Sequence, residues 1–419
     1  MENRKSSGFM KGVLIGIAST AIIMVLILIG MQSSLDLSSI SNLLNKESEV
    51  TDDSGQTSVV NAQVETKIKN LENIIHEKYL FDIDESQMED GIYKGLLSSL
   101  GDPYSVYYNK EEYQALMEST SGTYCGIGVL VSQNRETGVI TVVKPFEGGP
   151  GYEAGILPGD ILYKVAGEEV SGIDVSKVVA NIKGEEGTSV DITVYRSGED
   201  KYIDFTLQRR SIEVPTVAHQ MLEDKIGYIQ ITEFDSVTYD QYMEAFNDLQ
   251  DQGMEGLIVD LRDNPGGLVD VTVKILDEML PEGKIVYTED KNGDGNTWTS
   301  DAEHSFDKPL VVLVNGNSAS ASEIFSGAVK DYGVGTLVGT KTFGKGIVQV
   351  VMGMEDGTAI KLTVSRYFTP NGICIHETGI EPDVAVELSD ELKTKAVITA
   401  EEDNQLQKAI EVIKEKIGE

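Results

Sequence analysis

The sequence predicts a multidomain α/β (α+β) protein with an N-terminal transmembrane helix, a helical segment, a β-rich module and a mixed-sheet core. Three observations support this class. An uncharged run of 20 residues stands near the N-terminus, short alternating strands separated by Gly and Pro follow residue 122, and apolar strands alternate with helical patterns after residue 210. At roughly 150 residues per domain, the length of 419 residues predicts two or three domains.

The charge and the cysteine content exclude several classes of protein. With 34 basic and 69 acidic residues, the formal net charge is −35. A surface this acidic repels phosphate backbones, so a nucleic-acid-binding protein is excluded. Cys125 and Cys374 are too few for a disulfide framework and fit no zinc pattern; whether they pair is left open.

The N-terminus predicts a membrane anchor. Arg4, Lys5 and Lys11 precede the apolar run at 12–31, GVLIGIASTAIIMVLILIGM. At ~1.5 Å rise per residue, such a run spans a ~30 Å hydrocarbon core. Because the basic residues lie on its N-terminal side, we expect the bulk of the chain outside the cytoplasm. The alternative is a cleaved signal peptide, although no small-x-small triplet directly follows the run.

The remaining organisation follows from composition and periodicity. Residues 1–31 are predicted to be a cytoplasmic tip and anchor, 32–62 a disordered linker rich in Ser, Asp, Asn and Thr, 63–118 a helical region, 119–210 the β-rich module, 211–388 the core and 389–419 a C-terminal helix. Helices are expected from residue 64 and at 88–100, 110–118, 149–154, 175–182, 239–250, 269–279, 321–332 and 404–417. Strands are expected at 127–132, 139–143, 161–165, 190–196, 226–231, 256–260, 310–315, 336–339 and 347–351.

The segment 309–332, PLVVLVNGNSASASEIFSGAVKDY, joins an apolar strand to a helix through a loop of small residues. The free N–H groups of a first helical turn, with the positive end of the dipole, stabilise an oxyanion beside a serine hydroxyl. Three serines compete for the role of nucleophile: Ser318, Ser320 and Ser322. The alternative is that they are N-cap and turn residues, which is the usual role of serine before a helix.

A serine nucleophile needs a general base. The chain has four histidines, none with an Asp partner in a motif, so a Ser-His-Asp triad lacks support: His76, His219, His304 and His376. Lys345, in GTKTFGKGIVQVV, is the other candidate, provided that burial lets its amine lose a proton near pH ~7–8. Period two places Lys345 and Gln349 on one face of a strand, where Gln349 can orient the amine. A solvated turn lysine is the alternative.

A third segment, 257–268 (LIVDLRDNPGGL), is an apolar strand followed by two glycines and a helix. Backbone N–H groups of adjacent glycines can form a concave anion site, so Gly266 or Gly267 would supply an oxyanion donor near Ser320. The alternative is an ordinary loop.

LRDNPGG, SASASE, TKTFGKGIVQ and YFTPNGICIHETGIEPDV together resemble the motifs of carboxy-terminal processing (tail-specific) proteases, over roughly residues 64–417. The resemblance implies a Ser–Lys dyad in which Ser320 is the nucleophile, Lys345 the general base and Gln349 its support. It requires neither a metal nor an organic cofactor.

The same resemblance implies an oxyanion hole formed by the amide of Ala321 and by that of Gly266 or Gly267. Glu323, Asp331 and Thr342 also stand at positions that the family's motifs carry.

The β-rich module resembles a PDZ domain. The stretch 123–129, TYCGIGV, is similar to a carboxylate-binding loop, with a bound peptide added as a strand along 128–132. The residues that would bind the peptide end are Gly126, Ile127, Gly128 and Val129. Two departures concern peptide specificity and gating: Gly-Pro-Gly-Tyr at 149–152 replaces the usual Ser-Pro-Ala, and Lys183 replaces a common arginine.

Two other patterns are weaker. DKNGDGN at 290–296, with Asp301 in the twelfth position, fits half of a calcium loop, but 287–298 is more typical of a hairpin turn. SFDK at 305–308 matches Ser-x-x-Lys without the companion motifs of penicillin-recognising enzymes.

The sequence therefore predicts a membrane-anchored, extracytoplasmic serine endopeptidase that acts on proteins or peptides through their free C-terminal ends. The resemblance also implies a homodimer. One alternative is a catalytically weak PDZ adaptor, against which the intact Ser320, Lys345 and Gln349 argue. The other is an esterase or amidase on the same framework, which the peptide-binding module disfavours.

Overall fold

The computed structural model of the protein describes residues 58–199, 201–301, 303–395 and 398–418. The predicted anchor at 12–31 and most of the predicted linker at 32–62 lie outside these residues. Among the described residues, no helix combines the length and the apolar character needed to cross a membrane.

Residues 58–103 belong to one of two compact units of the chain and contain helices α1 (Ala62–Lys78) and α2 (Glu85–Ser98). Each helix begins after a residue whose side chain accepts hydrogen bonds from the first turn, Asn61 for α1 and Asp84 for α2. Both predicted helices are confirmed. They begin slightly earlier than the apolar spacing indicated, because the capping residue and not the first apolar residue sets the boundary.

From Tyr104 onward the chain forms the second unit. It opens with β1 (Val106–Tyr108) and α3 (Lys110–Ser121), and α3 ends at Gly122, which has φ 66°. The chain then enters the β-rich module as β2 (Thr123–Gly126) and leaves it as β9 (Arg210–Glu213), and these two strands pair antiparallel. We call this pair the PDZ ribbon.

Between β2 and β9 the module is built on a six-stranded antiparallel sheet, in the order β3-β4-β5-β7-β8 with β6 paired to β5. Its elements are β3 (Val129–Gln133), β4 (Ile140–Pro145), α4 (Pro150–Glu153), β5 (Ile161–Val165), β6 (Glu168–Glu169), α5 (Val175–Ile182), β7 (Ser189–Tyr195) and β8 (Ile203–Gln208). Alternate residues of β7, namely Val190, Ile192 and Val194, are buried in the module's own core. The predicted strands of this region are confirmed.

The remaining elements form the core. They are β10 (Val217–Met221), β11 (Ile226–Ile231), α6 (Thr238–Asp251), β12 (Gly256–Asp260), α7 (Val269–Asp277), β13 (Gly283–Asp290), β14 (Thr297–Ser300), β15 (Leu310–Val314), α8 (Ala321–Tyr332), β16 (Thr336–Gly339), β17 (Ile347–Gly353), β18 (Ala359–Phe368), β19 (Val384–Ala385) and α9 (Asn404–Ile417). A single turn of 3-10 helix, Glu223–Lys225, links β10 to β11.

Six of these strands form a sheet in the order β10-β11-β12-β15-β16-β19, parallel except for β10. Every residue of β12 and β15 is buried, as expected for parallel strands that are covered on both faces. Helix α9 covers part of one face, where Ala409 and Ile413 pack with Ile258 and Leu313. The partly parallel sheet predicted from the sequence is confirmed.

A second, antiparallel sheet has the order β1-β18-β13-β14, with β17 also paired to β18. The strand predicted at 347–351 is β17, so it lies here and not with the parallel strands. Its partner β18 has ten residues and was not predicted. A physical reason is that a charged residue occupies a buried position of this strand: Lys361 is buried, with its Nζ 5.4 Å from the centroid of the Tyr108 ring. The strand therefore lacks the regular alternation of apolar and polar residues that would have predicted it.

The pattern at 287–298 is the hairpin between β13 and β14, as predicted. The Asp290 side chain accepts from the N–H groups of Asn292 and Asp294 and so organises the turn itself. In the described part of the chain, no group of His, Cys, Asp and Glu side chains is arranged to hold a metal ion. Cys125 and Cys374 are both free thiols.

Candidate active site

Ser320 stands at the end of the loop that joins β15 to α8, directly before the first residue of the helix. It is fully buried and has φ 61° and ψ −112°, and positive φ is uncommon for any residue but glycine. Its N–H donates to Glu323 Oε2 at 2.9 Å, and its carbonyl accepts from the Tyr367 hydroxyl at 3.0 Å. Both peptide groups of Ser320 are therefore held by side chains.

The other two serines of the loop have structural hydrogen bonds. Ser318 Oγ donates to the carbonyl of Leu261 at 2.7 Å, and Ser322 Oγ donates to the carbonyl of Asn264 at 3.0 Å. These bonds tie the loop at 315–320, which we call the serine loop, to the loop that follows β12. Of the three competing serines, Ser318 and Ser322 thus serve the turn, as serines before helices usually do.

Glu323 joins the serine loop to the loop at 340–346, between β16 and β17, which we call the lysine loop. Its Oε2 accepts from the N–H groups of both Ser320 and Lys345, at 2.9 and 2.8 Å. Its Oε1 accepts from the Gly344 N–H at 2.7 Å and from Thr342 Oγ1 at 2.6 Å. One buried carboxylate therefore fixes the backbones of the two residues that the sequence selected as nucleophile and base.

The role of Glu323 was not predicted, although its spacing of three residues after Ser320 is that of a capping box. Burial raises the pKa of Glu323, although the four hydrogen bonds that it accepts act to lower it. The capping spacing was the signal that was available, but the contact with the lysine loop depends on the tertiary fold.

Lys345 is 6% exposed, and its Nζ lies 4.5 Å from the centroid of the Tyr104 ring. A Cβ added to Gly346 would lie 2.6 Å from the backbone N of His376, so only glycine permits this approach. The backbone beside Lys345 thus packs closely on His376, while the amine lies over an aromatic ring. Tyr104 lies far from the motif in sequence and was not predicted.

His219 pairs with an aspartate but lies away from Ser320. His219 Nε2 lies 2.9 Å from Asp248 Oδ2, but His219 is on β10, three strands from β15 and hence about 14 Å away across the sheet. His376 packs beside Gly346, and its buried Nδ1 accepts or donates no hydrogen bond within the described chain.

Gln349 is 1% exposed and lies on β17, four residues after Lys345. Its Nε2 donates to Thr363 Oγ1 on β18 at 3.2 Å. The β17–β18 register shifts between Val348 and Gln349, which interrupts the alternation that was expected to place Lys345 and Gln349 on one face.

The glycine turn at 263–267 lies against the serine loop. A Cβ on Gly266 would lie 2.8 Å from Ser320 Cβ and 2.9 Å from the Ala321 N. The Gly266 N–H donates to Asn264 Oδ1 at 2.8 Å, whereas the N–H groups of Gly267 and Ala321 donate to no other group in the described part of the chain. Two backbone donors therefore remain available beside Ser320.

Comparison with known proteins identifies the family. The sequence model of peptidase family S41 matches residues 225–386. Over 328 residues the chain is 38% identical to the carboxy-terminal processing protease CtpA of Bacillus subtilis, covering 78% of this chain and 70% of that protein. It is 36% identical over 322 residues to the carboxyl-terminal-processing protease of Synechocystis, covering 76% of this chain and 75% of that protein. The chain belongs to the carboxy-terminal processing proteases. It is a serine-type peptidase of family S41.

Two further matches describe other regions of this S41 peptidase. A PDZ-domain model matches residues 139–196, and a model named for the N-terminal domain of the activating protease CtpB matches residues 24–112. A solved structure assigned to the S41 proteases, from Bacteroides fragilis, superposes with a TM-score of 0.51 at 16% identity, over 81% of this chain and 93% of that one. At this identity the superposition supports the fold alone.

Four residues were predicted to bind a peptide end. They lie where β2 turns into β3, and neither strand belongs to the parallel sheet that carries the serine loop: Gly126, Ile127, Gly128 and Val129. Ile127 is 1% exposed, and Gly128 has φ 69°. Strand β3 is an edge strand of the PDZ sheet, since it pairs only with β4 among the described strands.

The two departures from the usual PDZ stretch have structural explanations. A Cβ at Gly151 would lie 2.7 Å from Val129 Cγ1, so the packing of α4 under β3 leaves no room for the alanine that is usual there. Lys183 pairs with Glu118 on α3 at 3.0 Å, and its Nζ lies 5.1 Å from the Tyr124 ring centroid.

Proposed function

We propose that this peptidase cleaves protein chains by acyl-enzyme chemistry with a Ser–Lys dyad, in which Ser320 is the nucleophile and Lys345 the general base. The observation that carries the proposal is the shared carboxylate oxygen: Glu323 Oε2 accepts from the backbone N–H groups of both residues. Burial of Lys345 supports a neutral amine, because a low-dielectric environment disfavours the charged form.

In the proposed reaction, Ser320 Oγ attacks the peptide carbonyl while its proton passes to Lys345 Nζ. The tetrahedral intermediate collapses as Lys345 returns that proton to the leaving amine, which breaks the peptide bond and leaves an acyl ester on Ser320. A water molecule then attacks the ester, giving its proton to Lys345, and the ester bond breaks as Lys345 returns that proton to Ser320 Oγ, which releases the free acid and restores both residues. Gln349, held by Thr363, is proposed to orient the lysine side chain.

The oxyanion of each tetrahedral intermediate is proposed to bind the N–H groups of Ala321 and Gly267. The sequence left Gly266 and Gly267 as alternatives. The hydrogen bond from the Gly266 N–H to Asn264 Oδ1 favours Gly267, whose N–H stays available. Preorganised donors of this kind cost no reorganisation during the reaction.

The substitution Ser320→Ala tests the nucleophile, with Ser326→Ala as the matched control. Ser326 is a buried serine of the same helix whose hydroxyl only donates to the carbonyl of Ser322, at 2.7 Å. We expect Ser320→Ala to lose both cleavage of an unfolded protein substrate and labelling by a fluorophosphonate, with an unchanged melting temperature. Wild-type rates of cleavage in Ser320→Ala would refute the assignment.

We further propose that the PDZ domain captures the free C-terminal end of a substrate, which adds as a strand to the exposed edge of β3. The edge position of β3 and the glycine at the β2–β3 turn support this mode of binding. A peptide with a free carboxylate should bind the protein, and the same peptide with a C-terminal amide should not; equal affinities would contradict carboxylate recognition.

The cellular location is also a proposal. We propose that residues 12–31 anchor the peptidase in the cell membrane as a single-pass helix with the catalytic part extracytoplasmic, because that run is uncharged and its N-terminal flank is basic. Membrane fractions washed with alkaline carbonate should retain the full chain, and protease added outside intact spheroplasts should digest it. Release by the wash would contradict the anchor.

A further inference from the structure

Residues 232–237, between β11 and α6, form a loop that we call the junction loop. On one side, its Phe234 N–H donates to the Gly266 carbonyl at 2.9 Å, and the Leu268 N–H donates to the Phe234 carbonyl at 2.7 Å. On the other side, the Ser236 N–H donates to the Thr120 carbonyl at the end of α3, at 3.2 Å. One short loop thus contacts both the glycine turn and the chain that enters the PDZ domain.

The entry and the exit of the PDZ ribbon both pack on this region. A Cβ at Gly122, the residue before β2, would lie 2.6 Å from Val237 Cγ2 and 2.9 Å from Asp235 Cβ. After β9, the Val214 carbonyl accepts from Gln241 Nε2 at 3.0 Å, which ties the exit of the ribbon to α6. Gly122, the residue that precedes the ribbon, therefore lies close against Asp235.

Asp235 is the unusual residue of the junction loop. It is 2% exposed, and its Oδ1 has no hydrogen-bond partner in the described part of the chain. A buried, unpaired carboxylate is costly when ionised, and burial accordingly raises the pKa of Asp235 to about 7. Burial, together with the charge of Asp235, raises the pKa of Glu233 to about 8.

The charged groups on the surrounding elements do not offset this cost. Burial is the sole cause of the shift at Asp235, so none of them stabilises its ionised form. The charged residues closest in sequence to the contacts of the junction loop are Glu118, which pairs with Lys183, and Glu213, Asp240, Asp263 and Glu233.

We propose that Asp235 is a positioning residue: its uncharged carboxyl keeps the junction loop packed between the PDZ ribbon and the glycine turn, and its ionisation releases the loop. This inference rests on the proposed role of the glycine turn in binding the oxyanion. Release weakens the two backbone hydrogen bonds through which Phe234 holds Gly266 and Leu268, so the state of the PDZ ribbon and the geometry of the oxyanion site change together.

The direction of the pH dependence follows from the two states. In the open loop the hydrated carboxyl has its ordinary pKa near 3.8, and in the packed loop it has a pKa of about 7. Because the packed state binds the proton more tightly, opening becomes more favourable as pH rises from about 4 to about 7 and then levels off. Over the full range from pH ~4 to pH ~7, the equilibrium constant for opening increases about a thousandfold. Between pH ~6 and pH ~8 it increases about tenfold.

Hydrogen exchange of the intact protein tests the proposal without requiring turnover. After correction for intrinsic rates, we expect the wild-type peptides that cover 120–126 and 232–238 to exchange at least about tenfold faster at pH ~8 than at pH ~6, with no such excess in α9. Asp235→Asn should lower the excess by about tenfold. Glu233→Gln should lower it too, because burial also raises the pKa of Glu233, whereas Glu213→Gln, which changes an exposed carboxylate on β9, should leave it unchanged.

Enzyme kinetics of the same variant distinguish a positioning role of Asp235 from a general effect on folding. With a peptide substrate, the ratio of kcat at pH ~8 to kcat at pH ~6 should rise by up to about tenfold in Asp235→Asn relative to wild type, with KM unchanged. An excess of exchange that is as large in Asp235→Asn as in wild type, or that is absent from wild type, overturns the proposal. If Asp235→Asn does not fold, the wild-type exchange data decide. Activity of Ser320→Ala would refute the dyad but leave the exchange test intact.

Discussion

Ser320 adopts a backbone conformation, φ 61° and ψ −112°, that costs an L residue on the order of 1–3 kcal/mol. Such strain persists only where the surroundings hold the residue on both sides. Here Glu323 holds its N–H and Tyr367 holds its carbonyl. Because Glu323 also holds the Lys345 N–H, the backbones of the proposed nucleophile and the proposed base depend on one buried carboxylate. Strain and preorganisation are thus concentrated at the same position.

Lys345→Arg is the residue-scale prediction. Arginine keeps a long basic side chain that can contact Tyr104, but it does not lose its proton in proteins and so cannot act as a base. We expect kcat to fall by about 10²–10⁴, the usual contribution of general-base catalysis. In wild type, kcat should rise with pH on the acidic side as the amine deprotonates, and this rise should disappear in the variant.

Lys341→Arg is the matched control for that change. Lys341 lies in the same loop, is half exposed and pairs with Glu381 at 2.9 Å. Its replacement should leave the pH profile of kcat unchanged. Equal activity of the two arginine variants would remove Lys345 from the role of base.

At the scale of elements, the site is formed where two neighbouring parallel strands end. β12 leads into the glycine turn and β15 leads into the serine loop, and β12 and β15 are adjacent in the sheet. Hydrogen bonds from Ser318 and Ser322 to the carbonyls that follow β12 then lock the two loops together. The carboxyl edge of a parallel sheet places such loops side by side, which is why ligands and catalytic groups occur there.

Gly266→Ala tests this arrangement. The new Cβ would lie within 2.9 Å of both Ser320 Cβ and the Ala321 N, at a residue with φ 108° that disfavours alanine. We expect the turn to shift and kcat to fall by about 10²–10³, as for the loss of an oxyanion donor. Gly316→Ala, in the serine loop, is the control, since its nearest neighbour, the Lys341 carbonyl, would lie 3.9 Å away. Similar losses in both variants would argue against a specific role for the turn.

At the scale of the whole molecule, Arg262 joins the C-terminal helix to the parallel sheet. Its guanidinium contacts the fully buried Asp260 at 2.6 Å and Asp403, the N-cap of α9, at 2.8 Å. Burial acts to raise the pKa of Asp403, but the hydrogen bond and the charge of Arg262 hold it below its ordinary value. This stabilisation is therefore present above pH 3.8 and is lost as the pH falls below that value.

Arg262→Ala should be strongly destabilising, because it leaves two acidic groups without their counter-ion. Breaking a buried pair costs about 3–5 kcal/mol, which urea denaturation at neutral pH would measure as a lower midpoint. Arg366→Ala, an exposed arginine on β18, should change the midpoint little. A midpoint for Arg262→Ala equal to that of Arg366→Ala would show that α9 does not depend on this ion pair.

Much of the fold was predictable because its signals are local. Capping residues, apolar periodicity and glycine turns each involve only a few neighbouring residues. They were enough to predict the helices and about half of the strands. They also gave the family resemblance, because the motifs around Ser320, Lys345 and Gly266 are each contiguous. Strand β18 was not predicted because its buried residues include Lys361, so the polarity of its side chains does not indicate which of them are buried.

Short stretches of sequence were enough to predict the kind of elements, their order and the candidate site residues, since each of these depends on residues a few positions apart. Only the folded chain shows that Glu323 holds both Ser320 and Lys345, that β17 belongs to an antiparallel sheet, and that the buried Asp235 Oδ1 has no hydrogen-bond partner in the described part of the chain. The physical reason is that burial and hydrogen-bond partners are properties of contacts between distant segments. A carboxylate has the same chemistry in the sequence wherever it stands, but its charge state and its role depend on what the fold packs around it.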